Sequence, residues 1–87
     1  MNGTTLSGKL GFAEVENLLA RLDALAAAPS LDLSRVEQAD SAGFALLIEL
    51  TRRARAQGRT LTFTGATPGV RRLAGFMGLD GILNFAT

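Results

Sequence analysis

Three short stretches of alternating apolar and polar residues are each followed by a stretch whose apolar residues recur every three or four positions. That repeated switch of period constrains the fold of these 87 residues more than any other feature. Thr4–Leu10 (TTLSGKL) reads as a strand with Leu6 and Leu10 on one side, weakened at Gly8. Residues 12–27 carry Phe12, Val15, Leu18, Leu19, Leu22, Leu25 and Ala26 at helical spacing, with Glu14, Glu16, Asn17, Arg21 and Asp23 on the polar face. Pro29 closes that helix. Ser30–Ser34 (SLDLS) alternates again, and Arg35–Ala39 reads as a connection in which Val36 packs.

Asp40 or Ser41 caps a second helix that runs to about Gln57, with Gly58 beyond its end. Its apolar face is Phe44, Leu47, Ile48, Leu50, Thr51 and Ala54, and Glu49, Arg52, Arg53, Ala56 and Gln57 lie opposite. Arg55 falls beside Phe44 and Ile48, at one edge of the apolar face. Thr60–Thr64 (TLTFT) is the third strand. Thr67 and Pro68 then open a helix to Met77 that buries Val70, Leu73, Ala74 and Met77. Leu79–Phe85 is an apolar tail, either one more helical turn or an edge strand. One helix after each strand argues for an α/β fold with crossover helices rather than a bundle.

Composition narrows function mainly by exclusion. The chain has one domain's length, and its formal charge of +1 leaves no nucleic-acid footprint. It has no cysteine, hence no disulfide or thiolate chemistry, and no histidine, hence no Ser-His-Asp or Cys-His arrangement. A zinc site would rest on carboxylates alone, and neither GxGxxG nor GxxxxGK[ST] occurs. The polar, Gly/Thr-rich start lacks the apolar run of a signal peptide, and no apolar stretch approaches the length of a membrane span. The expectation is a cytoplasmic, non-enzymatic domain with no catalytic residue, cofactor or metal.

Against that background, Asp40-Ser41-Ala42-Gly43-Phe44 stands out, because it sets a hydroxyl at the mouth of the long helix. A phosphate there would meet free N–H groups and the positive end of the helix dipole. An ordinary capping serine reads the same way, and Asp40 shares the ambiguity. Ala42 and Gly43 leave the approach to the hydroxyl open. The cations Arg52, Arg53, Arg55 and Arg59 complement the helix C-terminus, and Arg55 reads equally well as a protein contact. Arg71 and Arg72 sit early in the last helix, where the dipole disfavours them. Phe44 and Phe76 are core residues if buried and interface anchors if exposed.

The runs Leu6-Ser7-Gly8-Lys9-Leu10, Leu31-Asp32-Leu33-Ser34-Arg35-Val36 and Asp40-Ser41-Ala42-Gly43-Phe44-Ala45-Leu46-Leu47 together resemble the STAS domain. That is the domain of anti-anti-sigma factors and sulfate-transporter tails. DLSRV, DSAGFALLIEL and ARAQGRTLTFTGA resemble its MlaB branch, small cytoplasmic subunits of bacterial ABC transporters that move phospholipid between two membranes. The resemblance implies a single STAS domain over residues 1–87, with a small mixed β-sheet, helices on one side, and the first N-terminal strand missing or shortened. It implies no catalysis and no cofactor. It also implies a cytoplasmic protein that reaches the inner membrane only through its partner, and no nucleic acid.

In this family Ser41 matches the position phosphorylated in anti-anti-sigma factors and occupied by a functional Thr in the MlaB branch. Asp40, Ser41, Ala42 and Gly43 would then meet the partner, with Phe44 and Arg55 as further contacts. That partner is the transporter ATPase in one branch and a serine kinase anti-sigma factor in the other. Members of the sigma pathway tend to carry a second hydroxyl after the serine and Leu-Gly after the glycine. Ala42 and Phe44-Ala45 stand at those places, which favours the transporter branch.

Overall fold

The computed structural model describes residues 4–86. The chain forms β1 (Thr4–Leu10), α1 (Phe12–Leu18), a 3₁₀ turn (Leu19–Arg21), α2 (Leu22–Ala27), β2 (Ser30–Ala39), α3 (Ser41–Ala56), β3 (Thr62–Thr64) and α4 (Pro68–Phe76). The strands lie in the order β1-β2-β3, with every described pairing parallel. The α/β class holds. The antiparallel member of a mixed sheet would precede β1, and residues 1–3 lie outside the described residues.

Sequential parallel strands joined by right-handed crossovers place every helix on one face of the sheet. That face is apolar: Leu31, Leu33, Leu61 and Phe63 are fully buried beneath Leu25, Phe44, Leu47 and Leu50. Each such side chain contributes roughly 1.5–3 kcal/mol of burial. The alternate positions Asp32, Thr62 and Thr64 are polar and only partly covered, as befits a face without helices.

The expected single helix over residues 12–27 is interrupted. A 3₁₀ turn advances about 120° per residue instead of 100°, so three residues re-phase the helix by about 60°. Leu25 and Ala26 become fully buried, while Leu19, expected on the apolar face, is 52% exposed. The Phe12 side chain, also expected there, lies outside the described residues.

β2 is twice as long as the alternation suggests. Its pairing with β1 passes from Thr5↔Asp32 to Ser7↔Arg35 and from Gly8↔Val36 to Lys9↔Gln38, each step placing one extra residue in β2. Two bulges therefore break the alternation at which a sequence reading stops, and the first of them returns Val36 to the core. At the first bulge the Ser34 amide donates to the Asp32 carboxylate at 2.8 Å. That bond, with one from the Ser34 side chain, holds Asp32 below the usual carboxylate range.

The apolar tail is neither a helix nor a full strand, but a turn followed by a single β-bridge. The Ile82 and Leu83 amides donate to the Leu79 carbonyl in a turn. Phe85 then bridges Phe63 in parallel, with the Phe63 amide donating to Asn84 O and the Ala86 amide to Phe63 O. This short segment covers the outer edge of β3.

If β2 continues through its bulges, Val36→Ala should cost about 2 kcal/mol, in the range of truncations that leave a core cavity. Glu37→Ala should stay within about 0.5 kcal/mol. Urea denaturation of the two variants measures both, and equal effects would contradict the bulged register.

Candidate functional site

The site forms where β1 and β2 end and α3 begins. The Asp40 amide donates to the Leu10 carbonyl at 3.2 Å, tying the two strand ends together. The Asp40 side chain is the cap: its Oδ1 accepts from the Ala42 amide at 2.9 Å and the Gly43 amide at 3.1 Å. Ser41 is thereby released from capping. It occupies the first helical position and is exposed.

Gly43 faces the other way. A Cβ placed on it would overlap the Leu10 carbonyl oxygen and stand 3.1 Å from the Leu10 carbonyl carbon. Its smallness lets the first turn of α3 rest on the β1 backbone; it does not keep the serine accessible. Gly11 is also closely packed, though against side chains rather than backbone. Its amide donates to Glu14 Oε1 at 3.0 Å, and an added Cβ would lie 3.0 Å from Asp40 Oδ2. The Asp40 and Glu14 carboxylates thus converge on Gly11.

Six residues were expected to meet a partner, and the fold separates them. Asp40 and Ser41 are exposed, and Ala42 is half-buried. Gly43 is buried, and Phe44 is wholly enclosed in the core. Neither of these two can touch a partner. Phe44 points inward because it shares the helix face of Leu47, Leu50, Thr51 and Ala54. Leu46, which the sequence reading leaves off that face, is buried as well.

Arg55 is exposed, on the outer stripe of Ser41, Ala45, Ile48 and Arg52. It stands fourteen residues from Ser41, about 21 Å along the axis.

The other three cations of that group are occupied internally. Arg52 and Arg53 both bind Glu49, at 2.7 and 2.8 Å, and Arg53 reaches Asp23 at 2.7 Å. Arg59 donates to the Ala26 carbonyl at 2.6 Å, at the C-terminal end of α2. Hydrogen bonds from Arg52 and then Arg53 hold the Glu49 carboxyl down to about 2.

A feature missed in the sequence adjoins Ser41. Val15, Glu16 and Leu19 from the first helical segment and its turn, with Ala42, Ala45 and Leu46 from α3, line a mainly apolar groove of about 340 Å³. Two alanines three residues apart on α3 create it, because their small side chains leave a trough beside exposed Leu19. Among the described residues no cluster of carboxylates could hold a metal ion.

The family model described as the MlaB STAS domain matches residues 4–84. This chain belongs to the STAS domain family, in its MlaB group. No protein of curated function matches the sequence. Two solved structures share the STAS fold along the whole chain. One is the anti-sigma factor antagonist SpoIIAA in its unphosphorylated form, with TM-score 0.74 and 24% identity, matched over 83% of its length. The other is the Bacillus cell fate determinant SpoIIAA in the phosphorylated form, with TM-score 0.67 and 23% identity, matched over 86%. STAS domains of this kind are partner-binding modules, and none of the helices described in this one is long and apolar enough to cross a membrane.

Two outcomes follow from the geometry. Gly43→Ala should lose about 1–3 kcal/mol by overpacking against a backbone carbonyl, although alanine is the better helix former by about 1 kcal/mol. Chemical denaturation gives the sign, and a gain would contradict the close approach. Glu49 ionises more readily folded than unfolded, so its contribution is complete above pH 4.5 and is lost as pH falls through about 2. Glu49→Gln should therefore flatten the fall in stability across that window, as read from urea midpoints against pH.

Proposed function

We propose that this STAS domain is a non-catalytic subunit that binds and supports the cytoplasmic ATPase of a bacterial phospholipid-transport ABC complex. Such a complex acts in outer-membrane lipid asymmetry. The observation that carries the reading is the match of nearly the whole chain to the MlaB STAS domain. The site has a form suited to such work. Asp40 takes over the cap, Ser41 stands free at the rim, and an apolar groove opens beside it. Contact chemistry of this type draws its affinity from a few anchors that shed water. A nucleophilic role for Ser41 is disfavoured, since the chain has no histidine or cysteine and the neighbouring Asp40 oxygen is engaged by two amides. The protein would sit in the cytoplasm and meet the inner membrane through its partner.

One observation favours a second reading, a phosphorylation-switched antagonist of a serine kinase anti-sigma factor. Ser41 is exposed at the N-terminus of a 16-residue helix, where a phosphate would be held by the dipole and would alter the surface a partner meets. Ala42 removes the second hydroxyl usual in that pathway. The carboxylate of the adjacent Asp40 would repel added negative charge.

The readings part on one experiment. With the ATPase subunit purified from the host transporter, Ser41→Trp should weaken binding at least about tenfold, a typical loss at an interface anchor, and should reduce stimulation of ATP hydrolysis. Unchanged binding and hydrolysis would count against the transporter role. Incubation with the host's anti-sigma kinase and ATP should leave the intact mass unaltered; gain of one phosphate at Ser41 would favour the switch.

A further inference from the structure

We propose that the outer face of α4 is a second contact surface of this domain, built to receive a helix of the ATPase partner that presents an apolar ridge beside a carboxylate. The proposal rests on the transporter reading above and names the part of the partner that the Ser41 side does not explain.

The sequence reading buries Leu73 and Met77. In the fold they are 41% and 42% exposed, and Phe76 is 87% exposed. Only Val70 and Ala74 of α4 are buried. Leu73, Phe76 and Met77 lie three and four residues apart, so they adjoin on the helix surface. An almost fully exposed phenylalanine flanked by two other large apolar side chains marks an interaction site.

The cations on the same helix are an independent sign. Arg71 and Arg72 occupy the first half of α4, which carries no acidic residue, so the dipole there opposes them. The Arg71 guanidinium lies 5.4 Å from the Phe85 ring centroid and is thereby steered. Arg72 is exposed and has no ion pair among the described residues. A carboxylate brought in beside the apolar ridge would complement it.

Position joins this face to the Ser41 surface. A cleft of about 300 Å³ runs between the end of β2 (Glu37, Gln38, Ala39) and α4 (Gly69, Val70, Leu73). Ala39 is two residues before Ser41, so one partner can span both surfaces.

Other occupants fit less well. Two copies of this chain meeting across α4 would set two pairs of arginines, Arg71 and Arg72, against each other with one Asp80 carboxylate per copy to offset them. An anionic bilayer would meet Glu37 at the cleft wall and the Asp80 carboxylate, which lies against Gly75.

The test measures binding of the purified ATPase subunit to the full chain and its variants. Phe76→Ser should weaken binding about 10- to 100-fold, as loss of an anchor does, and Phe76→Leu should restore most of it. Arg72→Glu should slow association about tenfold and blunt its salt dependence. Both residues are exposed, so circular dichroism and thermal melting should match the wild type. Wild-type binding that Phe76→Ser and Arg72→Glu leave unchanged would overturn this proposal alone. Absence of wild-type binding would overturn it together with the transporter reading. Phe76-dependent binding to vesicles containing phosphatidylglycerol, or a dimer in sedimentation that Phe76→Ser dissolves, would overturn it in favour of a lipid surface or a second copy.

Discussion

The close approach of α3 to the end of β1 sets the rest of this domain. With no side chain at Gly43, the first helical turn rests on the Leu10 carbonyl, and the Asp40 amide donates to that same oxygen. This fixes where α3 leaves the sheet. The helix then delivers Phe44, Leu47 and Leu50 into the core without further adjustment. Any residue larger than glycine would lift the helix start and open that core from the top. The same contact turns Ser41 outward, so a packing constraint and an exposed functional position arise from one geometry.

Charge is divided along α3 in a way that separates stability from recognition. Glu49, Arg52, Arg53 and Asp23 form a network joining the long helix to α2. Exposed pairs of this kind contribute modestly one by one, with more to be gained from a shared network. Arg59 completes the attachment at the Ala26 carbonyl. Ser41, Ala45 and the groove beside Leu19 belong to none of this. They are therefore free to meet another protein without loss to the fold.

Much of this architecture was legible in the sequence, because each helix and strand carries its own period. The Asp-Ser-x-Gly run marked the mouth of α3 correctly, and its first two residues, Asp40 and Ser41, are at the surface. What escaped was set by contacts between distant segments. The bulges of β2 depend on register against β1, and the re-phasing of the first helix depends on where α3 lies. Gly43 read as open space around a hydroxyl because its true neighbour, Leu10, is thirty-three residues away. Phe44 could not be assigned to core or interface until its helix was placed on the sheet. Leu73 and Met77 have the spacing of buried residues, yet α4 packs through the narrower side of Val70 and Ala74.

The central claim is that the face bearing Ser41, not the open polar face of the sheet, receives an ABC ATPase. Photo-crosslinking in the native host tests it most directly, with a benzophenone amino acid at exposed Ala45 on α3 or, for comparison, at Thr62 on the sheet. The expected result is a crosslink from Ala45 to the transporter ATPase and none from Thr62. A crosslink from Thr62 alone, or capture of a serine kinase from Ala45, would contradict it.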